Sequence, residues 1–277
     1  MSRVAVVGAG LCGLAAATAL AEQGHAVTVV DRLPAIGGLA GWEDATARSL
    51  DAEGRGRGVQ QRLGATALRW TAPGDADDAP GSLLLAAPGE ITHLAADHLV
   101  IAAGTRPATP AELHLAGDRP AGVLAATVAE HLAGARVTLG RQALLYGVSH
   151  WAALVAHRLA ARGARLAVLG QPGAERPAWA DTWLGTGILR SVHGRPRLER
   201  VAWSATPDGE LHQHDADALV IAAPARPLRN VEGAVFAGEA VTFVAETDLA
   251  ATPSDIVSRA RAAAIAIPLA HARRPSA

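Results

Sequence analysis

Three glycines near the start of the chain have the type and spacing to do chemistry. In VAVVGAGLCGLAAATALAEQGHAVTVVD, Gly8, Gly10 and Gly13 stand as G-x-G-x-x-G between an apolar run and an Ala-rich run. The chemistry of that pattern is phosphate binding. Gly8 permits a tight strand-to-helix turn, Gly10 lets the backbone approach a pyrophosphate with no Cβ between them, and Gly13 lets the helix pack closely on the strand. The helix that starts there turns unpaired N–H groups and the positive end of its dipole toward the phosphates. Asp31, at the end of the second apolar run, is placed to accept hydrogen bonds from the ribose hydroxyls of an adenosine. Ala9, Leu11 and Cys12 fill the turn between the glycines, and Arg32 follows the acid. Cys12 reads either as a redox thiol beside a helix N-terminus or as a small residue at a variable position. The second reading is preferred, because a bound pyrophosphate would crowd the thiol.

The elements that must position these residues occur twice. ADHLVIAAGTRP (96–107) returns as ADALVIAAPARP (216–227), 120 positions later and identical at nine of twelve places. The glycine turn returns without a gap 139 positions later, so that Gly8 falls on Gly147, Gly10 on Ser149, Gly13 on Ala152, Gly24 on Gly163 and Asp31 on Gly170. Two landmarks repeated in one order indicate two related nucleotide-binding-type units, not the short periods of a solenoid. Each unit reads as apolar strand, glycine turn, Ala-rich helix and apolar strand. In the first, the pattern predicts strands at 4–8, 26–31 and 99–104, a helix over 14–23 ended by Gly24, and an antiparallel meander from ATALRW, GSLLLAA and EITHLAA. In the second, it predicts strands at 143–147, 165–170 and 219–223 and a helix over 152–162. GAVFAGE (233–239) reads as a further strand. Thr252, Pro253 and Asp255 form a capped start for the last helix, with a start nearer Glu246 and a kink at Pro253 as the alternative.

Composition sets limits on function. The chain has 277 residues and is half apolar, enough for one large or two ordinary domains. Its formal net charge of −1 gives no global attraction to nucleic acid or an anionic membrane. All 25 basic residues are Arg, which excludes a Schiff-base or P-loop lysine. A single cysteine excludes an internal disulfide, a Cys-x-x-Cys pair and an iron–sulfur cluster held by this chain alone. The eleven His show no metal-ligand spacing. The apolar N-terminus has the look of a signal peptide, but the later Glu22, Gly24 and Asp31 fit a strand–turn–helix–strand. The expectation is a soluble, cytoplasmic chain with no membrane span.

These motifs in order resemble the flavoproteins with two dinucleotide-binding domains, the pyridine nucleotide–disulfide oxidoreductase superfamily. The stretch from Val4 to Gly38 is similar to that family's FAD-binding start. It includes the paired glycines Gly37 and Gly38, whose backbone the resemblance puts near the FAD phosphates and ribityl chain. Ala102, Ala103 and Gly104 match the family's Ala-Thr-Gly strand, with Ala103 where Thr is usual. Gly238 and Glu239 match its late Gly-Asp motif, with Glu in place of Asp, as a contact to the ribityl chain. The resemblance implies an α/β fold of two Rossmann-like three-layer domains, the second inserted into the first, each with a small antiparallel meander. It divides the chain into a split FAD domain, 1–110 and 228–277, and an inserted NAD(P)-binding-like domain, 111–227. A closer likeness is to the α-type FAD subunits of heteromeric amine and imino-acid dehydrogenases and oxidases, the hydrogen cyanide synthase, opine oxidase, sarcosine oxidase and proline dehydrogenase type. It is carried by Arg119–Gly147 and Ala245–Ala251.

In this family the inserted domain binds NAD(P)H. The second turn departs from that need: Ser149 stands where Gly is required, and Gly170-Gln171-Pro172-Gly173 offers no acid for NAD and no arginine for NADP at the strand end, Arg176 lying further on. Gly147, Ser149, His150 and Trp151 are the candidate second-site residues. Trp151 reads as a stacking platform for flavin, substrate or partner, and His150 as a proton relay. The alternative, which is preferred, is that both pack into a vacated site. Trp179 and Trp183 share a face if their segment is helical, and GRGRG (54–58) reads as a phosphate loop or an exposed loop.

The expected function is therefore an FAD-dependent oxidoreductase that accepts a hydride from a small amine-type substrate or relays electrons, without conventional NAD(P)H use. A second catalytic or electron-transfer subunit is the expected partner. The alternatives are a stand-alone NAD(P)H-dependent flavin reductase and a non-catalytic subunit binding FAD or ADP. No residue is singled out as a catalytic acid or base, since flavin hydride transfer can proceed by orientation alone.

Overall fold

The computed structural model describes residues 1–74, 80–228, 230–231, 234–235 and 240–269. The chain folds as two compact units. The first comprises Met1–Thr105, Pro227–Glu246 and Ala251–Ala277; the second comprises Arg106–Arg226 and Thr247–Ala250. Among the described residues no helix is long and apolar enough to cross a membrane.

In the first unit, β1 (Arg3–Val7), α1 (Leu11–Glu22), β2 (Ala26–Asp31), α2 (Ala45–Gly56) and β3 (Gln60–Leu63) are followed by β4 (Thr66–Thr71), β5 (Gly81–Ala87), β6 (Glu90–Ala96) and β7 (His98–Ile101). The chain leaves through β8 (Thr105–Pro107). In the second unit, β9 (Ala116–Gly117), β10 (Val123–Ala125), α3 (Ala126–Gly134), β11 (Gln142–Tyr146), α4 (His150–Ala160), β12 (Arg165–Gly170) and β13 (Thr182–Thr186) precede β14 (Ile188–His193), β15 (Arg200–Ser204), β16 (His212–Asp215) and β17 (Ala218–Ile221). The chain returns through β18 (Ala225–Pro227) to the hairpin pair β19 (Asn230–Val231) and β20 (Ala234–Val235), then β21 (Val241–Phe243) and α5 (Pro253–Ile265).

The parallel strands are apolar without alternation because both of their faces are covered. In β1, Val4 and Val6 join the core formed with α1 and α5, while Ala5 and Val7 face Leu83 and Leu85 of β5. The unit therefore has three layers: helices, a parallel sheet in the order β21-β7-β1-β2-β3, and the antiparallel meander β4-β5-β6. The second unit repeats the plan, with Ala143 and Leu145 of β11 facing the helices and Leu144 and Tyr146 facing Leu189, Val201 and Trp203. Its parallel sheet runs β10-β17-β11-β12-β13, beside the small sheet β16-β15-β14-β9.

The internal repeats are structural. β11, the first residue of α4, and β12 begin 139 positions after β1, α1 and β2, and Gly8 and Gly147 share positive φ values of 114° and 98°. The spacing falls to 120 at β7 and β17 because nothing like α2 lies between β12 and β13. The edge strand beyond β7 comes from the returning chain, pairing Val241 with Leu99, whereas the strand beyond β17 comes from the entering chain, pairing Val123 with Leu219. A unit inserted into its relative produces this relation.

Several local expectations are corrected. α1 starts at Leu11 and α4 at His150, three and two residues earlier than the patterns suggested, because the turns pass straight into helix. The GRGRG run is only partly a loop: Gly54 to Gly56 lie in the last turn of α2, a carbonyl end that disfavours phosphate, and Arg57 and Gly58 form the exposed turn after it. Trp179 lies in a turn and Trp183 in β13, so the two share no helical face. The last helix starts after Thr252, with Pro253 in its first turn. The Thr252 side chain accepts from the Asp255 N–H, and the Asp255 carboxylate accepts from the Thr252 N–H. A kinked start near Glu246 is thereby replaced. Thr252→Ala is expected to cost about 1 kcal/mol in urea unfolding, with m unchanged.

Candidate functional site

In the first unit, Gly8, Gly10 and Gly13 differ in what the protein itself demands of them. A Cβ on Gly8, at φ 114°, would run into the Ala102 carbonyl, and one on Gly13 would run into the Gly8 carbonyl. Both glycines are required by packing. Gly10 is different. Its φ of −77° suits any residue, and a Cβ there would find its nearest neighbour, the Gly38 Cα, 3.9 Å away. The fold leaves room for a side chain at Gly10, and the sequence supplies none.

Around Gly10 the backbone forms a cradle. The Gly37 N–H donates to the Ala9 carbonyl at 2.8 Å, and Gly10 and Gly37 form an isolated parallel bridge. Gly37 and Gly38 both have positive φ, 102° and 57°, which carries the second strand of backbone past the first. No side chain caps α1, so its first-turn N–H groups keep no side-chain acceptor. Asp31 closes the other side. Its Oδ2 accepts from the buried Ala9 N–H at 2.6 Å and its Oδ1 from the Leu33 N–H at 2.8 Å. Each oxygen retains a second lone pair for a hydroxyl donor. Arg32 is exposed beside it, and Leu11 is buried under the turn. Ala102 is buried against Gly8 and Gly13, Ala103 is half-buried, and Gly104 turns the chain out of β7 at φ 85°. Gly238 and Glu239 lie outside the described residues.

Cys12 is half-buried, and burial pushes its thiol up from the ordinary value. A raised thiol is a poor nucleophile at neutral pH, in keeping with the small-residue reading. His98, buried in β7, binds Thr242 Oγ1 of β21 through Nε2 at 2.9 Å, and burial lowers its pKa. The unfolded chain, titrating near 6.5, then takes up a proton before the folded one, so stability falls as pH drops below about 6.5. His98→Gln is expected to flatten that acid limb in urea titrations across the range.

The second unit uses the same frame differently. The Gly147 N–H donates to Leu169 O at 2.8 Å as the Gly8 N–H does to Val30 O, and a Cβ on Gly147 would strike Ala223. At the place of Gly10, Ser149 caps α4, its Oγ accepting from the Ala152 N–H at 3.2 Å. At the place of Ala9, the Val148 N–H donates to Gln171 Oε1 at 2.8 Å. A neutral amide, one residue beyond the strand end, does the work of the Asp31 carboxylate. A side chain on Gly170, the counterpart of Asp31, would meet the indole of Trp183. Trp151 is 4 % exposed and belongs to the helix-side core, while His150 is exposed with its ring centroid 4.4 Å from that of Trp151. Burial lowers the His150 pKa, favouring the neutral ring. The sequence alone missed Gln171 and Trp183. Asking what satisfies the Val148 N–H once Asp31 has become Gly170 would have found the first.

Among the described residues no cluster of three His, Cys, Asp or Glu side chains could hold a metal ion. The first unit thus offers two glycine-lined backbone segments and a carboxylate around one bare Cα, at the N-terminus of an uncapped helix. Residues 1–119 match the pyridine nucleotide-disulphide oxidoreductase family. That is an oxidoreductase family whose members bind FAD.

Solved structures share the fold. Thioredoxin reductase of T. acidophilum superposes with a TM-score of 0.54 at 14% identity, covering 96% of this chain and 97% of that one. L-proline dehydrogenase of P. horikoshii gives 0.53 at 16% identity, covering 95% of this chain and 54% of that one. At such identities the likeness is one of fold. Two curated proteins share short stretches. A probable zeta-carotene desaturase of Synechococcus elongatus is 50% identical over 50 residues, 18% of this chain, and a carotenoid phi-ring synthase of Streptomyces griseus is 60% identical over 40 residues, 14% of this chain. The matched stretches span only 10% and 8% of those relatives' own lengths.

Proposed function

We propose that the chain is an FAD-dependent oxidoreductase whose first unit holds the cofactor across Gly8–Gly13 and Gly37–Gly38, with Asp31 on the adenosine ribose. The observation that carries this reading is Gly10. The protein's own atoms leave space for a Cβ there, nearest neighbour 3.9 Å, so its bareness serves something outside the chain. A pyrophosphate lying against the uncapped start of α1 accounts for it. Bound FAD supplies a two-electron acceptor that can take a hydride from an organic substrate and pass electrons on.

The chain's residues then bind and orient. The first-turn N–H groups of α1 neutralise phosphate charge, and Asp31 accepts from ribose hydroxyls while the Ala9 and Leu33 N–H groups hold its carboxylate in place. The half-buried Cys12, its thiol held protonated, takes no part in electron transfer.

The substrate we propose is a small amine or imino acid, the chain acting as one subunit that passes electrons to another. The resemblance of Arg119–Gly147 and Ala245–Ala251 to α-type subunits supports this, as does the fold shared with an L-proline dehydrogenase. Anaerobic titration of the flavin-loaded protein with imino and amino acids tests it by loss of visible flavin absorbance. Bleaching by an amine-type substrate is expected. Bleaching by NAD(P)H alone would favour a stand-alone flavin reductase, and a protein that never takes up flavin would favour a non-catalytic nucleotide-binding subunit.

A further inference from the structure

We infer that the dinucleotide turn of the inserted unit is closed to NAD(P)H by three of the chain's own side chains, Ser149, Gln171 and Trp183. The inference rests on the reading of the first unit as a dinucleotide site, because that unit is the template against which the second is compared.

The two turns coincide residue for residue in strand ends, helix start and glycine conformation, so each difference between them is local. A bound dinucleotide asks three things of such a turn: free helix N–H groups, a bare Cα for the pyrophosphate, and a charged partner for the adenosine ribose or its phosphate. The inserted unit withholds all three. Ser149 places a side chain where Gly10 has none, and its Oγ accepts the Ala152 N–H from the start of α4. Gln171 is spent on the Val148 N–H, so the strand end carries an amide in place of a carboxylate. The indole of Trp183 lies against Gly170, in the volume that a side chain at the Asp31 position would occupy. Arg176, six residues past the strand end, turns Nη2 to the Ala180 and Asp181 carbonyls at 3.0 and 3.2 Å.

These contacts also show how the fold survives the loss. The cap replaces the phosphate as acceptor, the amide replaces the acid as acceptor for the turn, and the indole fills the volume of the missing acid's side chain. Electrons therefore reach or leave the flavin without reduced nicotinamide docking on this unit.

The test is isothermal calorimetry of the FAD-loaded protein with NADH and with NADPH, comparing the wild type with Ser149→Gly/Gly170→Asp/Trp183→Val. The triple variant restores the bare Cα and the acid and removes the ring that would collide with it. No binding by the wild type up to roughly millimolar nucleotide, and NADH binding at least about tenfold tighter in the variant, is the expected result. Saturable micromolar binding by the wild type would overturn the inference, as would a folded triple variant that binds no better than the wild type. If the triple variant melts early, Ser149→Gly/Trp183→Val, which leaves Gly170 and Gln171 in place, is compared under the same criteria. Flavin content is read from the visible spectrum in parallel. A missing flavin counts against the reading of the first unit, and nicotinamide binding counts against this one.

Discussion

Gly10→Ser is expected to weaken FAD binding by roughly 10- to 100-fold while leaving the apo protein as stable as before or a few tenths of a kcal/mol more so. The two signs come from one geometry. Gly10 is the N-cap of α1 with extended backbone, the conformation in which Ser149 caps α4. Serine there has the same capping acceptor to offer α1, and serine is a slightly better cap than glycine. Nothing in the chain opposes its Cβ, since the nearest atom is 3.9 Å away. On the proposed reading, what opposes it is the pyrophosphate. The loss should appear as reduced flavin retention and, by linkage, as a lower melting temperature only when FAD is present. Gly13→Ala makes the contrast. Its Cβ would strike the Gly8 carbonyl, so it should destabilise with or without FAD, by about 1–3 kcal/mol or more.

Asp31→Ala should damage binding and fold together. The carboxylate accepts from the Ala9 and Leu33 N–H groups, and Ala9 is fully buried. Leaving a buried donor unmatched costs about 1–3 kcal/mol, and on the proposed reading the ribose would lose its acceptor as well. Urea unfolding of the apo protein reads the first effect, and FAD titration reads the second as a loss of roughly tenfold or more. Asp31→Asn, which retains one acceptor oxygen, should recover part of the stability. Gln171→Ala should reproduce the stability loss, through the orphaned Val148 N–H, without touching FAD affinity.

Much of the fold was legible because the chain states it twice. The gapless match of the glycine turns carried β1, α1 and β2 onto β11, α4 and β12, and the second match carried β7 onto β17. The shortfall has physical causes. α2 reads as a polar loop, with three glycines at 54, 56 and 58, and its one start signal, Asp44 accepting from the Ala47 N–H, lies in a segment with few large apolar residues. The place of Gly37 and Gly38 against Gly10 was reached through family resemblance. Spacing alone does not bring residues 27 positions apart into contact. The contact of Trp183 with Gly170 escaped notice because glycine has no side chain to signal it. Packing was the preferred reading of both Trp151 and His150; Trp151 is buried in that way, whereas His150 is exposed.

The central claim is that the first unit holds FAD through the bare backbone at Gly10. Its most direct test is the visible absorption spectrum of the purified wild-type protein beside Gly10→Ser, each incubated with excess FAD and desalted. The account predicts stoichiometric flavin in the wild type and little in the folded variant. A wild type that stays colourless after reconstitution, or a variant that retains flavin equally well, would contradict it.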